Sequence, residues 1–242
     1  MIGVILAAGM AKRLRPLTDN CPKCMLQVGS KTLLQRTVDA MLSVGVESLV
    51  VVTGYKGDMI RSFITKMYPS VQVVFLDNTD YANNNNIFSL WMAGQEVRGK
   101  DFLLMDSDIL CDPAVVAAVA SKDRSSLAVN RHELGEEEMK VVVDEGMNIV
   151  EISKTCSPKD ALGESVGIEK ITADYSEALF RELDVMIKEE KLIDVFYEQA
   201  FQRLIAKDHS FVVVDTTNYF SYELDTPEDF EQASATIPRE FL

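Results

Sequence analysis

The chain has 242 residues, 47% of them hydrophobic, which suits one large domain with an ample core and shows no signature of disorder. Its 24 basic and 38 acidic residues give a net charge of −14, which excludes the broad basic face that non-specific nucleic-acid binding needs. An anionic ligand must therefore be met by a local pocket of Lys, Arg and backbone N–H groups working against the global field.

Residues 2–7, IGVILA, form a continuous apolar run, the pattern of a strand buried on both faces. A loop bearing Gly9, Arg13 and Pro16 comes next. KTLLQRTVDAMLSVG then places Leu33, Leu34, Val38, Met41 and Leu42 at helical spacing, with Gly45 ending the helix. Residues 48–54 read as a second buried strand, and GDMIRSFITKMY returns to helical periodicity. VQVVFLDN is a third strand, NIFSLWMAGQEV a helix, and DFLLMDSDIL a fourth strand running into acidic residues. Strand and helix in short alternation predict an α/β fold, a parallel sheet with helices on both faces, with ligands at the carboxyl ends of the strands. The loop after the first strand, the DNTDYANNNN segment and Asp106-Ser107-Asp108 all fall at such ends.

Beyond about residue 122 the pattern changes. SSLAVNR, MKVVVDE, MNIVEISK and ESVGIEKI read as short strands, the first three antiparallel, with residues 144–148 as a hairpin turn. Helical stretches over 173–190 and 194–206 precede SFVVVD. In YELDTPEDF, Thr226 is the expected N-cap, Pro227 the first helical residue and Asp229 the partner in a capping box. The expectation is one domain over 1–242, with a core of 1–122 and 209–242 and an inserted subdomain over about 123–208.

Small residues after a buried strand let backbone N–H groups approach a phosphate, and Ala7, Ala8 and Gly9 fit that need. Arg13 offers a planar fork and Lys23 a compact charge. The loop is neither G-x-G-x-x-G nor the Walker pattern, so spacing alone allows an ordinary glycine turn with solvated basic residues equally well. Asn85, Asn86 and Ser89 carry the donors and acceptors that a nucleotide base edge requires, or simply form an Asn-rich turn. Asp106 and Asp108 end a buried strand, where carboxylates need a cation or donors, and Asp112 fits the next N-cap better. Thr226 frees Asp225 from capping, and Glu223 lies two residues earlier on the same face. Cys21 and Cys24 form a C-x-x-C without a second pair, so the dithiol reads as incidental rather than as a metal knuckle. No apolar run spans a bilayer and the first residues lack a basic n-region, so the expectation is a cytoplasmic protein with reduced thiols and no membrane partner.

VILAAGMAKRLRPLTDNCPKCMLQVGSKTLLQ resembles the N-terminal signature of the nucleoside-triphosphate transferases, L-A-A-G-x-G-x-R-x-x-P-L-T followed by P-K-x-[LM]. Leu6, Ala7, Ala8, Gly9, Arg13, Pro16, Leu17, Thr18, Pro22, Lys23 and Met25 fit it. Ala11 stands where the family has its second glycine, which requires a negative φ or tolerated strain. YANNNNIFSLWMA and LLMDSDIL are most similar to the branch that attaches CMP to small phosphorylated amino-alcohols or aminophosphonates, phosphocholine cytidylyltransferase among them. The resemblance implies a Rossmann-like fold, Mg²⁺, and nucleotidyl transfer from CTP to a small anionic acceptor with pyrophosphate leaving. It implies Lys23 and Arg13 as catalytic residues, and Leu6, Ala7, Ala8, Gly9, Asn85, Asn86 and Ser89 as nucleotide contacts. It further implies Asp108 and Asp225 as metal ligands, and Asp106, Glu223, Lys154 and Tyr197 on the acceptor side, with Phe196 and Tyr81 as further aromatics there. Met139 stands where the phosphocholine enzymes have a tryptophan, which favours 2-aminoethylphosphonate over phosphocholine. A homodimer stays open. So do transfer to a sugar 1-phosphate or another alcohol phosphate, a D-x-D nucleotide-sugar glycosyltransferase, and an inactive nucleotide-binding regulatory module.

Overall fold

The computed structural model describes residues 1–238. The last four residues of the expected core segment, 239–242, lie outside the described residues. The first strand, β1 (Ile2–Ala7), leads through two short 3-10 turns (12–14 and 23–25) to a hairpin of β2 (Gln27–Val28) and β3 (Lys31–Thr32). Then come α1 (Leu33–Ser43), β4 (Ser48–Thr53), α2 (Gly57–Met67), β5 (Gln72–Asp77), α3 (Asn86–Val97), β6 (Phe102–Asp106), β7 (Ile109–Cys111) and α4 (Pro113–Ala120). The second half holds β8 (Ser126–Asn130), β9 (Lys140–Val143), β10 (Ile149–Ser153), β11 (Gly163–Ile171), α5 (Ala173–Asp184), α6 (Glu198–Ile205), β12 (Val212–Asp215), β13 (Ser221–Glu223) and α7 (Pro227–Thr236). Among the described residues no helix is long and apolar enough to cross a membrane.

The central strands β6, β1, β4 and β5 run parallel, as the alternating pattern predicts. β1 is buried along nearly its whole length, which explains its unbroken apolar run. Its alternate residues feed two cores: Val4 and Leu6 on one face, Ile5 and Ala7 on the other. The first face packs against α3, α5 and α6, the second against α1, α2 and α4. The second half of the chain joins this same sheet, because β11 pairs antiparallel with β6 and also with β8 and β9. β9 and β10 are antiparallel, joined by the expected turn, in which Asp144 accepts hydrogen bonds from the Gly146 and Asn148 amides.

DFLLMDSDIL differs from the expected single strand. The sheet strand stops at Asp106, and the chain then turns so that β7 leaves to pair with β13. Two partly buried carboxylates at the end of a buried strand favour a turn toward solvent over continued pairing. The β7–β13 ladder sets Glu223 opposite Ile109, which brings the C-terminal acidic segment alongside Asp108. A small third core containing Val28, Leu33, Leu110, Leu224 and Ala233 fixes this ladder and α7 in place. The capping box at Thr226 and Asp229, with Pro227 at the first helical turn, starts α7 as the sequence predicts. Asp112 caps α4 through the Ala114 amide, again as expected.

Candidate active site

A cavity of about 860 Å³ opens at the carboxyl ends of the parallel strands, between the first loop and β11. Every residue expected to act at the site lines it except Tyr197. One wall is the backbone from Leu6 to Gly9. Here β1 ends against the loop after β4, where the Tyr55 amide donates to the Ala8 carbonyl at 3.0 Å. A Cβ on Gly54 would fall 2.6 Å from that carbonyl, so glycine is required for the approach. Ala11 adopts φ 46° and ψ 55°, the left-handed conformation that its side chain disfavours; the negative-φ alternative is not taken. The Thr18 hydroxyl and the Leu14 amide both donate to the Ala11 carbonyl and hold it there.

Lys23 is buried, and its ammonium lies 2.8 Å from both Asp108 Oδ2 and Asp225 Oδ1. Burial opposes its charge, but the two carboxylates outweigh that and hold its pKa above the ordinary lysine value. Arg13 reaches the other oxygen of Asp225 from the solvent side. Burial resists ionisation at Asp225 as well; Lys23, together with Arg13 and Lys154, more than compensates and draws its pKa down. Asp108, Glu223 and Asp225 each offer an oxygen within 4.8 Å of the others. Glu223 opens onto the cleft, yet the enclosing protein together with Asp108 and Asp225 pushes its pKa to about 8. Three converging hard oxygen donors fit a divalent cation such as Mg²⁺. No cysteine belongs to this group. Cys24 is buried and Cys21 half-buried, burial raises both thiols, and both are free.

The residues expected to border a nucleotide base line the cavity but have structural duties. Asn85 caps α3 through the Asn86 amide at 2.8 Å. The Asn86 side-chain carbonyl accepts from the Tyr197 amide at 3.0 Å, and Ser89 accepts from Asn78 at 3.1 Å. Asn78, buried and locked to Asn84 by reciprocal amide bonds, lines the cavity and carried no motif by which to find it.

The far wall comes from the second half of the chain. Lys154 lies 3.6 Å from Glu137 and 4.7 Å over the Phe196 ring. Buried Lys140 donates to the Lys154 carbonyl at 2.7 Å and to the carbonyls of Glu136 and Glu138, tying the acidic loop to the end of β10. Glu164 pairs with His132 at 3.2 Å, and burial with nearby Glu138 raises its pKa to about 7. Asp106 accepts from the Tyr197 hydroxyl at 3.2 Å, and that hydroxyl also lies 3.3 Å from Glu169. Burial and the neighbouring acids raise both carboxyls well above their ordinary values. Tyr197, expected to line the acceptor side, is instead fully buried, packed edge-on against Phe201 at 5.4 Å, and positions Asp106 from behind. Its ring is held in the aromatic core of α5, α6 and β12, which is the commoner fate of an aromatic at helical spacing. Gly167, at φ 74°, leaves room beside it; a Cβ there would meet Asp106 Oδ2 at 3.1 Å. Glu164, His132 and Gly167 carried no sequence motif, since the β11 pairings bring them here, and Glu198 enters from the start of α6.

Comparison with known proteins agrees with this geometry. A nucleotidyl transferase family model matches residues 2–136. A bifunctional IPC transferase and DIPP synthase of Aquifex aeolicus is 28% identical over 95% of the chain and 50% of its own length. A choline-phosphate cytidylyltransferase of Streptococcus pneumoniae is 34% identical over 40% of the chain and 41% of its length. A 2-aminoethylphosphonate cytidylyltransferase of Lancefieldella rimae is 31% identical over 47% of the chain and 42% of its length. The chain thus spans half or less of the length of these relatives. Among solved structures, CTP:phosphocholine cytidylyltransferase from Streptococcus pneumoniae superposes with a TM-score of 0.82 at 22% identity, covering 98% of this chain and 99% of that one. With the fold and a family model spanning the loop after β1 and the acids at the end of β6 in agreement, the chain belongs to the nucleotidyl transferase family.

Proposed function

We propose that the chain transfers CMP from CTP to a phosphate or phosphonate oxygen of a small amine-bearing acceptor, 2-aminoethylphosphonate ahead of phosphocholine, and releases pyrophosphate. The observation that carries this reading is the Lys23 ammonium, held 2.8 Å from both Asp108 and Asp225 where the phosphate loop meets the strand-end acids. Support for the cytidylyl donor and the phosphorylated amine comes from the choline-phosphate and 2-aminoethylphosphonate relatives. The cavity lining adds to it: nine carboxylic side chains stand against Arg13, Lys23 and Lys154. Such a wall admits an anionic substrate only with cationic help, and welcomes a cationic group on the acceptor.

The acceptor oxygen is already ionised near neutral pH, so no general base is needed and catalysis reduces to alignment and charge neutralisation. The oxygen attacks the α-phosphorus of CTP, the bond to the β-phosphate oxygen breaks, and its electron pair leaves on pyrophosphate. Asp108 and Asp225, with Glu223 beside them, would hold Mg²⁺, which when bound neutralises phosphate charge. Lys23 meets the charge that develops on the α-phosphate oxygens, and Arg13, on its exposed side of Asp225, grips the outgoing phosphates. The backbone from Leu6 to Gly9 gives close approach to the triphosphate, and Asn85, Asn86 and Ser89 border the base. In this reading residues 1–122 and the segment from 209 hold the nucleotide, and about 123–208 hold the acceptor. Lys154 meets the acceptor's phosphate, while Asp106 and Glu223 face its amine.

The test is a matrix of the four ribonucleoside triphosphates against phosphorylated amines, alcohols and sugars, read by pyrophosphate release. CTP with a phosphorylated amine should be fastest. Release confined to sugar 1-phosphates, or none with any pair, overturns the reading.

A further inference from the structure

We propose that Glu198 determines the amine class of the acceptor by selecting an ammonium that carries N–H donors over a fully alkylated one; this rests on the amine-acceptor reading above. Glu198 is the first residue of α6 and lines the cavity, although only 6% of the residue is exposed. Among the described residues its Oε2 has no hydrogen-bond partner. A buried carboxylate oxygen without a donor is costly in a folded protein, and a binding wall can keep one where the ligand brings the donor.

The neighbours do not satisfy this oxygen. The single hydroxyl hydrogen of Tyr197 already serves Asp106 and Glu169, at 3.2 and 3.3 Å. Glu169 leaves its own Oε2 unpartnered behind the wall. Lys154 is engaged with Glu137 and the Phe196 ring. Burial raises the Glu198 pKa to about 7, and a cation arriving beside it would favour the charged form.

A primary ammonium brings three N–H donors and gains most from acceptor oxygens free to take them. A trimethylammonium brings none and relies on exposed aromatic faces. On this lining Phe196 already carries the Lys154 ammonium, and Met139 offers a thioether instead of a ring. A wall with an unpartnered acceptor oxygen and few free ring faces therefore reads hydrogen-bond donors.

The experiment uses the whole chain with CTP and phosphoethanolamine carrying zero to three N-methyl groups, assayed by pyrophosphate release. For the wild type, KM should rise along the methylation series. In Glu198→Gln, kcat/KM for the unmethylated acceptor should fall about ten- to a hundredfold, chiefly through KM, the span expected for a lost charge-assisted hydrogen bond. The trimethylated acceptor should change little, so the preference ratio collapses. A ratio that stays at its wild-type value in Glu198→Gln, with the amines still substrates, overturns this inference alone. If no phosphorylated amine supports turnover by the wild type, the reading beneath it falls too. Should the variant not fold, the wild-type series decides: a flat or falling KM along it overturns the proposal.

Discussion

At the end of the cavity proposed to take the nucleotide, opposite charges are already matched: Lys23 bridges Asp108 and Asp225, and Arg13 closes on Asp225 from outside. At the end proposed to take the acceptor, Asp106 and Glu169 share one tyrosine hydroxyl, Glu198 stands beside them, and among the described residues Glu169 and Glu198 each keep one oxygen without a partner. The first arrangement is set before any ligand arrives, so substrate phosphates meet groups that need little rearrangement. The second is under electrostatic tension: Glu198 helps to raise the pKa of Asp106, and Asp106 and Glu198 together help to raise that of Glu169. A cationic ligand relieves that tension. The contrast suggests a division of labour: rate is built into the matched end, and choice of acceptor into the unmatched one.

The sharpest way to break this division is at Lys23. Under the proposed mechanism Lys23→Ala lowers kcat by about 10²–10³, the cost of removing one preorganised donor to transition-state charge, with a much smaller rise in KM for CTP. Single-turnover pyrophosphate release measures it. A loss confined to KM would make Lys23 a binding group only. Next in size is Asp108→Asn. The Mg²⁺ concentration for half-maximal rate should rise by more than about tenfold, the loss that even an outer-shell partner causes. An unchanged Mg²⁺ titration would remove Asp108 from the metal site.

The two ends also differ in how far the sequence discloses them. Gly9, Arg13, Lys23, Asp108 and Asp225 lie in short contiguous patterns, and all five line the cavity. For Gly9 and Asp108 the legibility is physical, since a buried strand has one carboxyl end and the residues beyond it face the ligand side of a parallel sheet. Arg13, Lys23 and Asp225 stand out instead through the resemblance to the nucleoside-triphosphate transferases. Glu164 and Glu198 lie in no such pattern. Glu164 reaches the site because β11 crosses from β8 and β9 to β6, a long-range pairing with a register shift between Ser165 and Glu169 that local periodicity does not encode. Glu198 reaches it from the start of α6, whose apolar face packs into the core with α5 and β10. The break of the DSD strand was hidden for the same reason, since β13, more than a hundred residues later, captures β7. Tyr197 misleads because an aromatic on a helix face reads alike whether it borders a cavity or fills a core.

At Glu164 the comparison can be sharpened by pH. Its folded pKa of about 7 lies above the ordinary 4.5, so the folded state keeps a proton there that the unfolded chain has lost. Wild-type stability attributable to this group must therefore fall as pH rises from about 4.5 to 7, by at most roughly 1.4 kcal/mol per pH unit, and level off above. Denaturant unfolding of wild type and Glu164→Gln in chelator-treated buffer checks it: the variant should gain on the wild type across that window. A gap that is constant, or that closes as pH rises, would place Glu164 in a matched environment like that of Asp225.

The smallest effect belongs to Ala11, the one strained point at the matched end. Its φ of 46° places Cβ in the left-handed region, and the Thr18 and Leu14 bonds to its carbonyl keep it there. For an L-residue this conformation costs about 1–2 kcal/mol, while glycine occupies it freely but loses more backbone entropy on folding, by about 0.5–1 kcal/mol. Ala11→Gly should thus stabilise the chain by up to about 1 kcal/mol, visible as a shift of a few degrees in the unfolding temperature at most. A destabilised variant would mean that the alanine methyl packs usefully where it lines the cavity. The phosphate loop would then be tuned by side-chain contact as well as by backbone, and the matched end would be less a matter of main-chain geometry than the Leu6–Gly9 wall suggests.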